Sequence, residues 1–206
     1  MKKYLIVMAA LLFAGFSSAQ SPEAYALYKS NGKKANYEKM IKKMNEADVV
    51  LFGELHNNSI CHWMQLQVSQ NIFGEDSVLT MGAEMFESDN QLIMDEYLSD
   101  RIKQSNFEKE MRMWDNYKTD YKPLVEFAKS KGIRFVASNV PRRYAALVNM
   151  GGLDALNDLS DEAKKFLPPL PVPFDTLAPN YDEMMNMRMG GHGMGNMLNM
   201  VQAQAI

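Results

Sequence analysis

The sequence predicts an α/β fold of three layers, α/β/α, around a mainly parallel sheet that is incomplete towards the C-terminus. Three observations predict it. Short runs of apolar and β-branched residues recur at 48–53, 77–86 and 133–138. The intervals between them carry helix-period patterns, and each run ends on polar residues. Strands alternating with helices imply right-handed crossovers and parallel pairing. That arrangement sends Glu54 with His56, Glu84, and Asn139 with Arg142 towards one edge, the carboxyl ends of the strands, where open parallel sheets bind ligands.

Residues 1–19 stand apart from the fold. Lys2 and Lys3 precede an apolar or small stretch over 4–16, and Ser17-Ser18-Ala19 supplies small residues for cleavage. This is the pattern of a secretory signal peptide, leaving one domain over 20–206. The apolar run is shorter than the ~20 residues that span a bilayer, and no lipid-bearing cysteine follows it. The expectation is a periplasmic protein without a transmembrane anchor after cleavage. Loss of Lys2 and Lys3 takes the net charge from -3 to -5, which argues against a nucleic-acid partner. Cys61 is the one cysteine, so no disulfide within the chain can form.

Residues 23–28 and 36–45 read as helices, the second with Tyr37, Met40, Ile41 and Met44 on one face. The first strand, 48–53, ends at Gly53. Ser59 caps a helix running to about residue 73. The second strand is 77–86. Helices follow at 90–98, 107–114 and 122–131, the last with Pro123 early and Gly132 as its stop. The third strand is 133–138. Residues 158–167 form a short helix capped by Ser160. Pro168, Pro169, Pro171 and Pro173 then impose an extended connection over 167–179. From Tyr181 the chain is helical and rich in methionine, interrupted at Gly190-Gly191-His192-Gly193, and 197–206 resumes a helix. Three strands alone leave a sheet edge uncovered, so the sequence reads as part of a longer domain.

Glu54 and His56 are two residues apart, and in extended backbone such positions project to one side. Carboxylate and imidazole can share a ligand. With Glu84 as third donor they suit zinc, manganese or iron. Alternatively His56 is a general base oriented by Glu54, or the pair is a capping carboxylate beside a solvated histidine. His62, one turn into the next helix, reads as core or surface, and Cys61 as a small buried hydrophobe. Arg142 and Arg143 either take a carboxylate or phosphate through their guanidinium forks, or one pairs with Glu54 or Glu84 while the other is solvated. The methionines around His192 either fill an apolar wall, which would suit a flat apolar ligand, or bind Cu(I).

Taken together, LFGELHNN, GAEMF, WDNYKTD with Tyr117 and Tyr121 ahead of Pro123, GIRFVASNVPRR and GHGMGNMLNMVQAQAI resemble the ChaN-like haem-binding uptake family. This family is part of the Tiki and erythromycin-esterase-like superfamily, and the resemblance covers about residues 36–206. It implies an α/β fold with its site at the strand ends, haem binding in iron acquisition, and in some members a dimer that holds haem between subunits. Carried over by residue, Glu54, His56, Glu84 and Arg142 are the matching site positions, with His192 a weaker one. The iron would be approached by His56 or by a nearby tyrosine or histidine. Relatives in the superfamily use the corresponding glutamates and histidine for hydrolysis. A metal-dependent hydrolase built on Glu54, His56 and Glu84 is therefore the alternative function, and a module for another apolar ligand the third. Family members continue beyond the AQA helix with further strands, so this chain is expected to supply part of a site.

Overall fold

Two parallel strands carry the centre of the fold in the computed structural model, which describes residues 23–74, 78–175, 177–179, 181 and 194–206. Strand β1 is Thr80–Glu87 and β2 is Arg134–Asn139. They pair from Thr80 against Arg134 to Ala83 against Ala137, and resume at Glu87 against Asn139 after an irregularity in β1. The chain divides into two compact units, Met1–Leu51 and Phe52–Ile206.

In the first unit, Tyr28 and Lys34 bridge antiparallel around a turn in which Gly32 takes φ +77°. The helix predicted at 23–28 is absent there, because this turn draws the Leu27 carbonyl onto the Ala35 N–H at 2.7 Å. Helix α1, Tyr37–Asn45, starts at the Asn36 cap, whose side chain accepts from the Lys39 N–H at 2.9 Å. Ile41 is its buried residue.

The strand predicted at 48–53 does not form. The segment is without regular structure, and Val49 and Leu51 are exposed at 73% and 92%. A β-branched run is suited to a pleated, half-buried surface, but it becomes a strand only when another strand completes its hydrogen bonds. Among the described residues β1 and β2 pair with each other alone.

The second unit is built by helices laid around that pair. They are α2 (Ser59–Ile72), α3 (Gln91–Leu98), α4 (Gln104–Glu110), α5 (Lys122–Lys131), α6 (Arg142–Gly151), α7 (Asp161–Lys164) and α8 (Met194–Ala205). A wide π-type turn, Tyr117–Tyr121, leads into α5. Helix α5 matches its predicted bounds because both ends are marked locally: Pro123 sits in its first turn and Gly132 closes it in the left-handed region at φ +63°. Helix α4 lies earlier than the predicted 107–114, since Met111 turns extended.

The main core packs β1 and β2 against α3, α4, α5 and the wide turn. Met94, Phe107, Val125 and Ala128 have no exposed surface, and the Phe107 ring stacks on Tyr97 at 4.2 Å. A second cluster centres on Val148 of α6 and Leu156, with Ala203 of α8 against it. No helix among the described residues is long and apolar enough to cross a membrane. The α/β class and the parallel pairing expected from the sequence are present, with two strands described where three were predicted.

Candidate functional site

Gly53, Glu54, Leu55 and His56 run as an irregular loop into α2, and Asn58, one residue ahead of the predicted Ser59, caps that helix through its side chain to the Cys61 N–H at 3.0 Å. The cap fixes where α2 begins, and α2 then turns His62 and Gln65 back onto the loop. Glu54 is the hub. Its side chain is 5% exposed and accepts three hydrogen bonds, from Tyr121 Oη at 2.7 Å, Gln65 Nε2 at 2.8 Å and His56 Nδ1 at 2.9 Å. Burial works to raise the Glu54 carboxyl, but these three donors and the nearby His62 outweigh it and hold the group below its usual 4.5. Tyr121 shows the reverse. Burial, then its bond to Glu54, pushes the phenol up to about 12, so it stays a neutral donor.

His62 is buried. Its Nε2 donates to the His56 carbonyl at 3.0 Å, while Nδ1 faces Gln65 Oε1 at 3.3 Å and Glu54 Oε2 at 3.6 Å. Asn116 fastens the same His56 carbonyl from the other side at 3.1 Å and bonds Asp120 at 2.8 Å. The His56 backbone is thus held twice, while its ring is 47% exposed and leans on Trp114 with centroids 5.2 Å apart. Nδ1 of that ring is committed to Glu54. Nε2 is the nitrogen left for a ligand.

Of the residues predicted for the site, Glu54 and His56 come together as a hydrogen-bonded pair. Glu84 does not join them as a third metal ligand. It lies on the exposed face of β1, and among the described residues no group of three or more His, Cys, Asp or Glu side chains is placed to hold a metal ion. Exposure alternates along β1 from Thr80 to Glu84, and that alternation puts Glu84 on the outward side. The strand runs on past residue 86, and after the break in register Met85, Phe86 and Glu87 are buried in succession, so Glu87 is the carboxylate delivered to the strand end. His192 and the methionines from 184 to 189 lie outside the described residues.

Arg142 pairs with neither Glu54 nor Glu84, and Arg143 is not simply solvated. Arg142 donates from its backbone N–H to Glu87 Oε2 at 3.2 Å and from Nε to Glu87 Oε1. Arg143 donates to Asp89 and stacks on Tyr144 at 4.5 Å. Arg112 bridges the two acids, from Nε to Glu87 at 2.9 Å and from Nη2 to Asp89. Sequence reasoning quoted WDNYKTD and Tyr121 as part of the family pattern without setting Tyr121, Asn116 and Asp120 around Glu54, and it overlooked Gln65 there and Arg112, Glu87 and Asp89 around Arg142. One signal was available: the acids of Glu87-Ser88-Asp89 after one strand complement Arg142-Arg143 after its parallel neighbour.

The family profile described as haem-binding uptake, Tiki superfamily, ChaN matches residues 40–206. The chain belongs to this haem-binding uptake family. Among solved structures it is similar to cofacial heme binding to ChaN of Campylobacter jejuni, at 17% identity and a TM-score of 0.60, over 87% of this chain and 70% of that one. At that identity the likeness is one of fold. No curated protein matches the chain.

Proposed function

We propose that this chain is a haem-binding protein of iron uptake in which His56 approaches the iron. The observation that carries the reading is the Glu54–His56 pair. An imidazole that presents a metal through one nitrogen commonly donates its other N–H to a carboxylate, which fixes the tautomer and raises the basicity of the free nitrogen. His56 has that arrangement: Nδ1 is 2.9 Å from Glu54 Oε1, and its exposed ring rests against Trp114. Haem iron accepts such an axial histidine. The relative from Campylobacter jejuni binds heme cofacially, and a pair of copies of this chain around haem would follow the same plan. Residues 1–19 have the pattern of a signal peptide, which in this reading delivers the protein to the periplasm.

Titration of the full-length protein with ferric haem tests this. The expected result is a shifted Soret band in the wild type that changes position and weakens in His56→Ala. No Soret shift in the wild type overturns haem binding, and an unaltered spectrum in His56→Ala overturns the axial role. The hydrolase alternative draws on the same pair but needs Glu84, which stands on the exposed face of β1. A metal-dependent turnover lost in Glu54→Gln would favour it.

A further inference from the structure

We infer that the lysine-rich surface of the first unit, made by the turn over 29–34 and by helix α1, docks on an anionic phospholipid bilayer. Residues 29–43 hold six lysines, Lys29, Lys33, Lys34, Lys39, Lys42 and Lys43, against one acid, Glu38. The rest of residues 20–206 carries 14 lysines and arginines against 24 acids. A chain that gathers its positive charge in one short stretch and is acidic elsewhere meets a negative surface through that stretch. The inference is independent of haem, since it uses no residue of the Glu54–His56 loop.

All six lysines are exposed. In α1 the apolar residues Tyr37, Met40, Ile41 and Met44 share one face and are wholly or partly buried, which leaves Lys39, Lys42 and Lys43 on the opposite side, towards solvent. Lys42 and Lys43 in the last turn complement the helix dipole, but Lys39 stands in the first turn, where a cation is unfavourable, so helix stability does not account for the set. In the turn, the antiparallel bridge sets the Tyr28 and Lys34 side chains on one face, and the Lys29 N–H bonds the Lys33 carbonyl at 2.9 Å to close the tip. Lys34 meets Glu23 at 3.0 Å, an exposed pair of the kind that contributes little; the other five lysines make no salt bridge among the described residues. Tyr28 beside them is 65% exposed. An exposed tyrosine among lysines suits the headgroup level of a bilayer, where its ring is half in apolar surroundings and its hydroxyl in water. The leader pattern over 1–19 also takes the chain to a membrane, and the acidic remainder disfavours a nucleic acid wrapped around the protein.

The test is co-sedimentation of the exported protein with vesicles of phosphatidylcholine alone and of phosphatidylcholine with about 30% phosphatidylglycerol, at low salt and at about 0.5 M salt. The wild type is expected to sediment with the anionic vesicles at low salt, to be released at high salt, and to leave the neutral vesicles unbound. At about fivefold per lysine near the surface, Lys39→Gln, Lys42→Gln and Lys43→Gln together should weaken binding about a hundredfold, and Lys29→Gln with Lys33→Gln about thirtyfold. The same positions changed to Arg should bind as the wild type does, which separates charge from any change in folding. Tyr28→Ala should weaken binding and leave its salt dependence unchanged. Equal binding to both vesicles in the wild type overturns the inference, as does binding that salt does not weaken. A preference for phosphatidylglycerol that survives both sets of Gln substitutions overturns it too. Single-stranded DNA bound more tightly than the anionic vesicles at the same salt would assign the patch to nucleic acid and overturn the bilayer as its partner.

Discussion

Replacing Tyr121 by Phe removes a single oxygen, the one that donates to Glu54 Oε1 at 2.7 Å. The ring keeps its place, since Tyr121 is 1% exposed and packs edge-on against His62 at 5.0 Å. Glu54 keeps two donors, His56 and Gln65, but a nearly buried carboxylate has lost its shortest bond. A hydrogen bond to a charged group is worth roughly 1.5–3 kcal/mol. With a urea m-value of about 2 kcal/mol/M, the unfolding midpoint should fall by about 1 M at neutral pH, with m unchanged. The loss should shrink in acid. Without the phenol the Glu54 carboxyl rises back towards 4.5, so the variant protonates first as the pH drops, and the charge that made the bond valuable disappears. Urea titrations followed by far-UV circular dichroism at pH 7 and at about pH 4 measure both effects. A midpoint that does not move at pH 7, or that moves equally at both pH values, refutes the assignment of Tyr121 as a donor to an ionised Glu54.

Glu54→Gln keeps the shape and removes the charge. Because the folded carboxyl lies below its usual 4.5, its stabilisation is fully present above that value and lost as the pH falls through the folded one; thermal melts should show a gap between wild type and variant at neutral pH that closes in acid. Phe107→Ala empties a site with no exposed surface, and chemical denaturation should show a loss of about 3–5 kcal/mol. Asn58→Ala removes the cap of α2, and the same measurement should register about 1 kcal/mol. A loss under half that value would mean that the packing of His62 and Met64, not the cap, sets where α2 starts.

What could be read from the sequence was what is decided locally. Helix α5 carries both of its end signals in its own residues, Pro123 and Gly132, and its bounds were predicted to the residue. Strands β1 and β2 were predicted to within three residues at either end, because apolar β-formers bounded by polar or turn residues are a short-range pattern. The run at 48–53 has that composition too, yet its strand state depends on a partner far away in sequence, and periodicity carries no information about that. The site divides in the same way. Glu54 and His56 are two residues apart, and their contact follows from spacing. Tyr121 is 67 residues from Glu54, and Arg142 is 55 from Glu87. Glu84 was named and Glu87 was not, because the break in register that leaves Met85, Phe86 and Glu87 buried in succession has no mark in the sequence.

The lean of His56 on Trp114 also gives the protein an optical probe of its own. The chain has two tryptophans, Trp63 and Trp114, and the second touches the histidine proposed to meet the ligand. In a Trp63→Phe background all indole emission comes from Trp114. A chromophore arriving at His56 would then extinguish the whole signal, whereas one held elsewhere would dim it gradually with distance. The question of where a ligand sits becomes a measurement of how much light remains.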